Sequence, residues 1–145
     1  MKIDAKVQSI SKLKDYFFLV PDYQREYVWK PDDEVEQFLI DIENEYSPDA
    51  KEQRNYFLGS IIIVNNDRCF DVVDGQQRLT TIMLSLCVFR DLLKKETLNS
   101  AQKNYLQIIE NLLYNFDIES GETRVRLELQ YEESHDLSLI HISEP

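Results

Sequence analysis

The stretch Phe70-Asp71-Val72-Val73-Asp74-Gly75-Gln76-Gln77-Arg78-Leu79-Thr80-Thr81-Ile82 constrains this chain more than any other. An apolar run stops at Asp74-Gly75, and a helical apolar pattern starts at once. Those two periods meet in a strand–turn–helix, with one carboxylate, one glycine, two amides and one guanidinium gathered at the helix mouth. Backbone N–H groups of a first helical turn have no intrahelical acceptor and carry partial positive charge, so they attract an anion. Arg78 adds a donor fork suited to phosphate, and Asp74 adds a carboxylate able to hold a divalent metal. A structural alternative stands beside this one. Asp74 and Gln77 have the spacing of a helix capping box, which needs no ligand, and Gly75 permits a tight turn. The two are compatible, because a capped helix mouth can still bind an anion.

The rest of the chain supplies elements to support that junction. Val7, Ile10 and Leu13, with Tyr16 and Phe17 beyond, predict a short first helix. Phe17-Phe18-Leu19-Val20 predicts a buried strand stopped by Pro21-Asp22. Tyr23 to Lys30 has no period and reads as a loop. Pro31-Asp32-Asp33-Glu34 opens a helix with proline and acids in its first turn, and Val35, Phe38, Leu39, Ile42 and Tyr46 give it one apolar face. Tyr56 to Val64 is rich in β-branched residues and predicts a central strand. Asn65-Asn66-Asp67 predicts a turn, and Cys69 to Val73 an antiparallel partner. Leu79, Ile82, Met83, Leu86, Phe89 and Leu93 predict a helix to about Lys95. Tyr105, Ile108, Ile109, Leu112 and Phe116 predict another. After a turn at Gly121, Val125, Leu127 and Leu129 alternate with Arg124, Arg126 and Glu128, the pattern of a half-exposed strand.

Further candidates lie outside the helix mouth. Gly59 interrupts a β-branched run, and such a glycine marks a bulge or a close approach by backbone or ligand. Ser60 beside it offers a hydroxyl to phosphate or to the backbone. Arg25, like Arg78, is either a phosphate clamp or a solvated or ion-paired residue. Tyr23, Tyr27 and Trp29 cluster near it and serve either base stacking or core packing, with packing favoured for Trp29. Gln76 and Gln77 can orient a water or read a ligand edge. There is no GxxxxGK[ST] loop, no Ser-His-Asp assembly and no His/Cys metal cluster in the sequence.

With 145 residues the chain suits one domain. Its net charge of −11 argues against broad nucleic-acid binding by this domain alone, since neutralising phosphates needs surplus Lys and Arg. Met1 to Lys6 is followed by no apolar leader segment, and Tyr16 to Val20 is far too short to span a bilayer. Cys69 and Cys87 fit reduced core thiols, which points to the cytoplasm.

Asp74-Gly75-Gln76-Gln77-Arg78-Leu79-Thr80-Thr81 resembles the signature of the ParB-like N-terminal domain of GmrSD-type proteins. Pro21-Asp22-Tyr23-Gln24-Arg25-Glu26-Tyr27-Val28-Trp29 resembles that family's first motif, and Phe57-Leu58-Gly59-Ser60-Ile61-Ile62 its second. The three occur in the expected order, and with Arg126-Leu127 and the acidic segment beyond they extend the resemblance over about residues 5–136. It implies an α+β fold, a small mixed or antiparallel sheet flanked by helices, as in ParB and sulfiredoxin-like domains. It implies a domain that binds and hydrolyses nucleoside triphosphate with Mg²⁺, in a restriction or phage-defence system. A separate HNH-type nuclease domain or subunit there cuts DNA, often phage DNA with modified bases. DNA would be reached through the full-length protein. By the same resemblance Asp74, Gln76, Gln77 and Arg78 are the catalytic candidates, and Asp74 the metal ligand. Arg25, Gly59, Ser60, Gly75, Arg78 and Thr80 are the nucleotide-binding candidates.

Two other functions fit the same residues: a non-catalytic module that binds nucleotide or DNA and transmits a conformational signal, and a ParB-like nuclease domain. Leu137 to Pro145 departs from the resemblance and looks like translated adapter sequence. Residues 1–136 are therefore expected to form the domain, as an N-terminal fragment of a longer protein, with residues 137–145 outside its fold.

Overall fold

In the computed structural model, which describes residues 3–23, 26–46 and 55–130, short apolar segments build a mixed sheet backed by helices. A 3₁₀ turn over Ile10–Asp15 leads into β1 (Phe18–Val20). A wide helical turn at Pro31–Val35 runs into α1 (Glu36–Glu45). Then come β2 (Ile62–Asn66), β3 (Cys69–Asp74), α2 (Gln76–Lys94), α3 (Ser100–Leu113), β4 (Tyr114–Asp117), β5 (Glu122–Val125) and β6 (Leu127–Leu129). One sheet has the order β2-β3-β1-β6, and β4 and β5 form a separate hairpin. β2 and β3 are antiparallel, whereas β1 runs parallel to both β3 and β6. The expected α+β class with a small mixed sheet is therefore what the chain adopts.

The core lies between this sheet and α2. Phe18 and Val20 of β1, Val72 of β3, and Leu127 and Leu129 of β6 meet Leu79, Met83 and Cys87 of α2, with Leu113 closing the end of α3. The inner stripe of α2 runs Leu79, Met83, Cys87, Arg90, at steps of four, four and three, which keeps it on one side of a 3.6-residue helix. A central strand with parallel neighbours on both sides is buried, and Val20 is fully so. Cys87 is buried and Cys69 half-buried, and neither forms a disulfide. Burial pushes the Cys87 thiol up to about 11. Asn99 caps α3 in a reciprocal box with Gln102, so this helix starts where the capping chemistry places it.

Several sequence expectations need correction. The β-branched run at 56–64 is not a central strand: pairing begins at Ile62, and β2 lies on the sheet edge with Ile62 and Val64 each 51% exposed. The preceding residues cannot join the ladder, because Gly59 takes φ 131° and the Ser60 carbonyl accepts from Arg78. Asn65 and Asn66 remain paired, and the turn is made by Asp67 and Arg68. Phe89 faces solvent, because the buried stripe of α2 passes through Cys87 and Arg90 instead. α3 ends at Leu113, so Phe116 belongs to β4 and is exposed. The first helix is only the 3₁₀ turn, and Val7 is fully exposed.

The most consequential correction concerns Arg126. Alternation placed it outward on one strand. It is 1% exposed and stands where β5 passes into β6, two strands of different sheets. Its N–H donates to Leu113 O at 2.8 Å, and its carbonyl accepts from Phe18 N at 2.8 Å. Its Nη1 donates to Tyr16 O and its Nη2 to Asn111 O, both at 2.7 Å. The charge is thus held by carbonyls at the end of α3 and before β1.

Candidate functional site

The helix mouth forms as the strand–turn–helix pattern requires. β3 ends at Asp74, Gly75 turns the chain at φ 83°, and α2 begins at Gln76. A Cβ at position 75 would stand 2.7 Å from Ser60 O, so the turn excludes any side chain as well as favouring a left-handed residue. The capping box does not form. Gly75, not Asp74, occupies the N-cap, and no side chain caps this helix. The first intrahelical bond is Leu79 N to Gly75 O at 3.0 Å, which leaves the N–H groups of Gln76, Gln77 and Arg78 without intrahelical acceptors. The Asp74 side chain is exposed and has no hydrogen-bond partner among the described residues. Gln76 is half-buried beside it.

Gln77 and Arg78 reach in different directions. The Gln77 amide lies against the loop of the first motif: Oε1 accepts from Val28 N and Nε2 donates to Glu26 O, both at 2.8 Å. Arg78 reaches the second motif, where Nη1 donates to Ser60 O at 3.1 Å. Its guanidinium occupies the space a side chain at 59 would fill, and the φ of 131° there is one that side chains rarely adopt. The group that approaches Gly59 is the Arg78 side chain, where the sequence suggested a bulge, a backbone or a ligand. Ser60 contributes its carbonyl to this contact.

Sequence patterns did not point to Thr81, which completes the junction. Its hydroxyl donates to Gln77 O at 2.8 Å and lies 2.9 Å from Tyr27 Oη. With the threonine proton committed to Gln77, Tyr27 is the donor in that pair. Burial raises the Tyr27 pKa above its usual value, partly offset by the Thr81 contact, with the Glu34 charge adding to the rise. The hint was available in the four-residue spacing of Gln77 and Thr81, which places both on one helix face.

Beyond Tyr27 the loop and α1 leave an open apolar cavity of about 270 Å³ against α2, lined by Tyr27, Trp29, Pro31, Leu39, Val88 and Phe89 among others. Trp29 packs against Phe38, with ring centres 6.0 Å apart, so it serves packing.

The fold therefore gathers Gly59, Ser60, Asp74, Gly75, Gln76, Gln77 and Arg78 around one helix end. Thr80 is 3% exposed and buried in the domain, where it does not face solvent. Arg25 lies outside the described residues, as do residues 137–145. Among the described residues, no group of three or more His, Cys, Asp and Glu is placed to hold a metal, and Asp74 supplies one carboxylate at the helix end. That fits an ion such as Mg²⁺, which binds through one or two carboxylates with phosphate oxygens and water completing its shell.

No helix among the described residues is long and apolar enough to cross a membrane. Comparison with curated proteins gives no match. The family model for the N-terminal domain of the GmrSD restriction endonuclease matches residues 7–144, a range that takes in the stretch after Asp136 as well as all three motifs. With nearly its whole length inside that match and the motif residues brought to one helix end, this chain belongs to the GmrSD N-terminal domain family of restriction endonuclease systems.

Proposed function

We propose that the mouth of α2 binds the triphosphate of a nucleotide together with Mg²⁺, and that the domain hydrolyses it for a DNA-restricting system whose cutting is done by an HNH-type nuclease part. The observation that carries this is the uncapped start of α2: three N–H groups without intrahelical acceptors, no side-chain cap, an exposed Asp74 just before them and Arg78 in the same first turn. An uncapped helix end suits an anion. A guanidinium has five N–H donors, and the Ser60 contact uses the Nη1 end, so Arg78 keeps donors for phosphate oxygens. Asp74 would hold Mg²⁺ or orient the attacking water, with Gln76 beside it. The bound ion would neutralise charge on the phosphates. Arg25 enters this proposal from the motif resemblance alone. The ParB-like kinship of the fold is part of the same proposal.

Calorimetric titration with several nucleoside triphosphates and Mg²⁺ tests the binding. Arg78→Ala should weaken it by roughly 10- to 100-fold, the effect of losing a charge-assisted contact worth about 1.5–3 kcal/mol. Asp74→Ala should chiefly abolish phosphate release. Unchanged affinity in Arg78→Ala would remove the phosphate-clamp role.

One observation favours a second function, a nucleotide-binding module without turnover. Gln77, a catalytic candidate by resemblance, has both polar side-chain atoms on backbone partners. Binding of nucleotide by wild-type protein with no phosphate release would establish that function instead.

A further inference from the structure

We propose that Gln77 is a positioning residue: it docks the Glu26–Val28 segment onto the first turn of α2 and so holds that turn's N–H groups ready for an anion. The proposal rests on the triphosphate site described above and assigns Gln77 a role apart from touching ligand or water.

Three bonds support it, all between one turn of helix and three consecutive loop residues. Gln77 Oε1 takes the Val28 N–H, and Gln77 Nε2 gives to the Glu26 carbonyl, each at 2.8 Å. This is the pairing one residue of a neighbouring strand would make with positions i and i+2 of the loop, supplied here by a side-chain amide. Tyr27, between those positions, is tied at 2.9 Å to Thr81, which returns to Gln77 O at 2.8 Å. The ring closes on Gln77 from both its side chain and its main chain. Residues 26–30 have no regular secondary structure, so these bonds tie their start to α2.

The consequence follows from what first turns do. They fray, because their amides lack partners. Ordering them on binding costs affinity, and ordering them beforehand saves that cost. Gln77 carries one of the three amides without intrahelical acceptors, and Arg78 carries the next. Pinning Gln77 against the 26–28 segment holds both in the geometry an anion needs. Arg78 does the same on the other flank through Ser60. The helix mouth is thus gripped by segments from both other motifs.

The test uses the 145-residue chain, Mg²⁺ with a nucleoside triphosphate as one probe and inorganic tripolyphosphate as the other. Gln77→Met keeps the side-chain length and removes both bonds. Tyr27→Phe removes only the tie to Thr81. Amide exchange at Val28 and calorimetric affinity are read in wild type, each variant and the double variant. Gln77→Met should speed Val28 exchange by roughly 2- to 12-fold, the scale of a lost neutral hydrogen bond. It should weaken both probes by a similar factor, because the amides serve phosphate and not the base. Tyr27→Phe should shift both readouts the same way by less, and should add little in the Gln77→Met background.

Weaker binding with Val28 exchange unchanged would overturn the proposal, since Gln77 would then touch the ligand. Faster exchange with affinity unchanged would overturn it equally, since docking would then not serve binding. Failure of wild-type protein to bind either probe would overturn the triphosphate site itself, and with it any positioning role.

Discussion

Replacing Arg126 by methionine is the sharpest test of how this fold is held together. The guanidinium is 1% exposed and donates to two carbonyls, Tyr16 O and Asn111 O, at 2.7 Å each. Asn111 lies in the last turn of α3, where carbonyls have no intrahelical donor and a cation is favoured by the helix dipole. The side chain also sits 4.6 Å from the centre of the Phe17 ring. Bonds from a charged donor contribute about 1.5–3 kcal/mol each, so the pair would supply about 3–6 kcal/mol. Burial opposes this. It pushes the Arg126 pKa down to about 10, which still leaves the group charged at neutral pH but records the cost of desolvating that charge. Methionine escapes the cost and fills part of the volume, so the net loss should be about 2–4 kcal/mol. Lysine retains the charge but lacks the fork, reaches one carbonyl, and should lose about half as much. Urea denaturation followed by circular dichroism measures both. If Arg126→Met lies within about 1 kcal/mol of wild type, or if lysine is as damaging as methionine, the two-carbonyl fork is not what stabilises this junction.

Other expectations follow from the same fold. Gly75→Ala should destabilise more than Gly121→Ala: both residues are left-handed, a conformation costing other residues about 1–2 kcal/mol, but only position 75 has an atom, Ser60 O, where Cβ must go. Equal losses in urea denaturation would discount that contact. Burial, joined by the Glu110 hydrogen bond and charge, pushes Tyr114 from 10.0 up to about 12, so the unfolded chain releases this proton first. The resulting stability is complete below pH 10 and is lost as pH rises towards about 12. Melting temperature against pH should therefore fall less steeply over that window in Tyr114→Phe. Deleting residues 137–145 should change stability by no more than about 0.5 kcal/mol, as for a neutral surface change, and a loss of several kcal/mol would give that stretch a place in the core.

What the sequence revealed was what repeats along it. β1, the β2–β3 pairing and α2 each show as a period or an apolar run, and the Asp74-Gly75 junction shows as the point where one period replaces another. A lone anomaly was also legible: Gly59 in a β-branched run signalled close approach, though not that Arg78 would be the visitor. What stayed hidden were contacts with no period. Gln77 bonds backbone atoms 49 and 51 residues away, and main-chain atoms look the same at every position. Arg126 was misplaced because alternation, and the general exposure of arginine, both put it outside. The edge position of β2 was missed because β-branched composition reports fit to a pleated surface and not the number of neighbouring strands.

The parallel placement of β1 has a consequence for the order in which this domain can assemble. Phe18 pairs with Phe70 on one side and with Leu127 on the other, and the Arg126–Tyr16 bond at that seam joins residues 110 positions apart. No local hairpin gives β1 a partner. The chain between Phe18 and Phe70 must close before the central strand gains its first ladder, and the longer one to Leu127 before it gains its second, which makes completion of the sheet slow and late. During synthesis β1 can pair with β3 once that strand has emerged, but its other edge stays open until β6 follows. A shortened chain ending before Leu127 would expose one edge of β1 and leave Phe18 and Val20 without Leu127 and Leu129. Such a product should appear in the cell as aggregate or as a protease substrate.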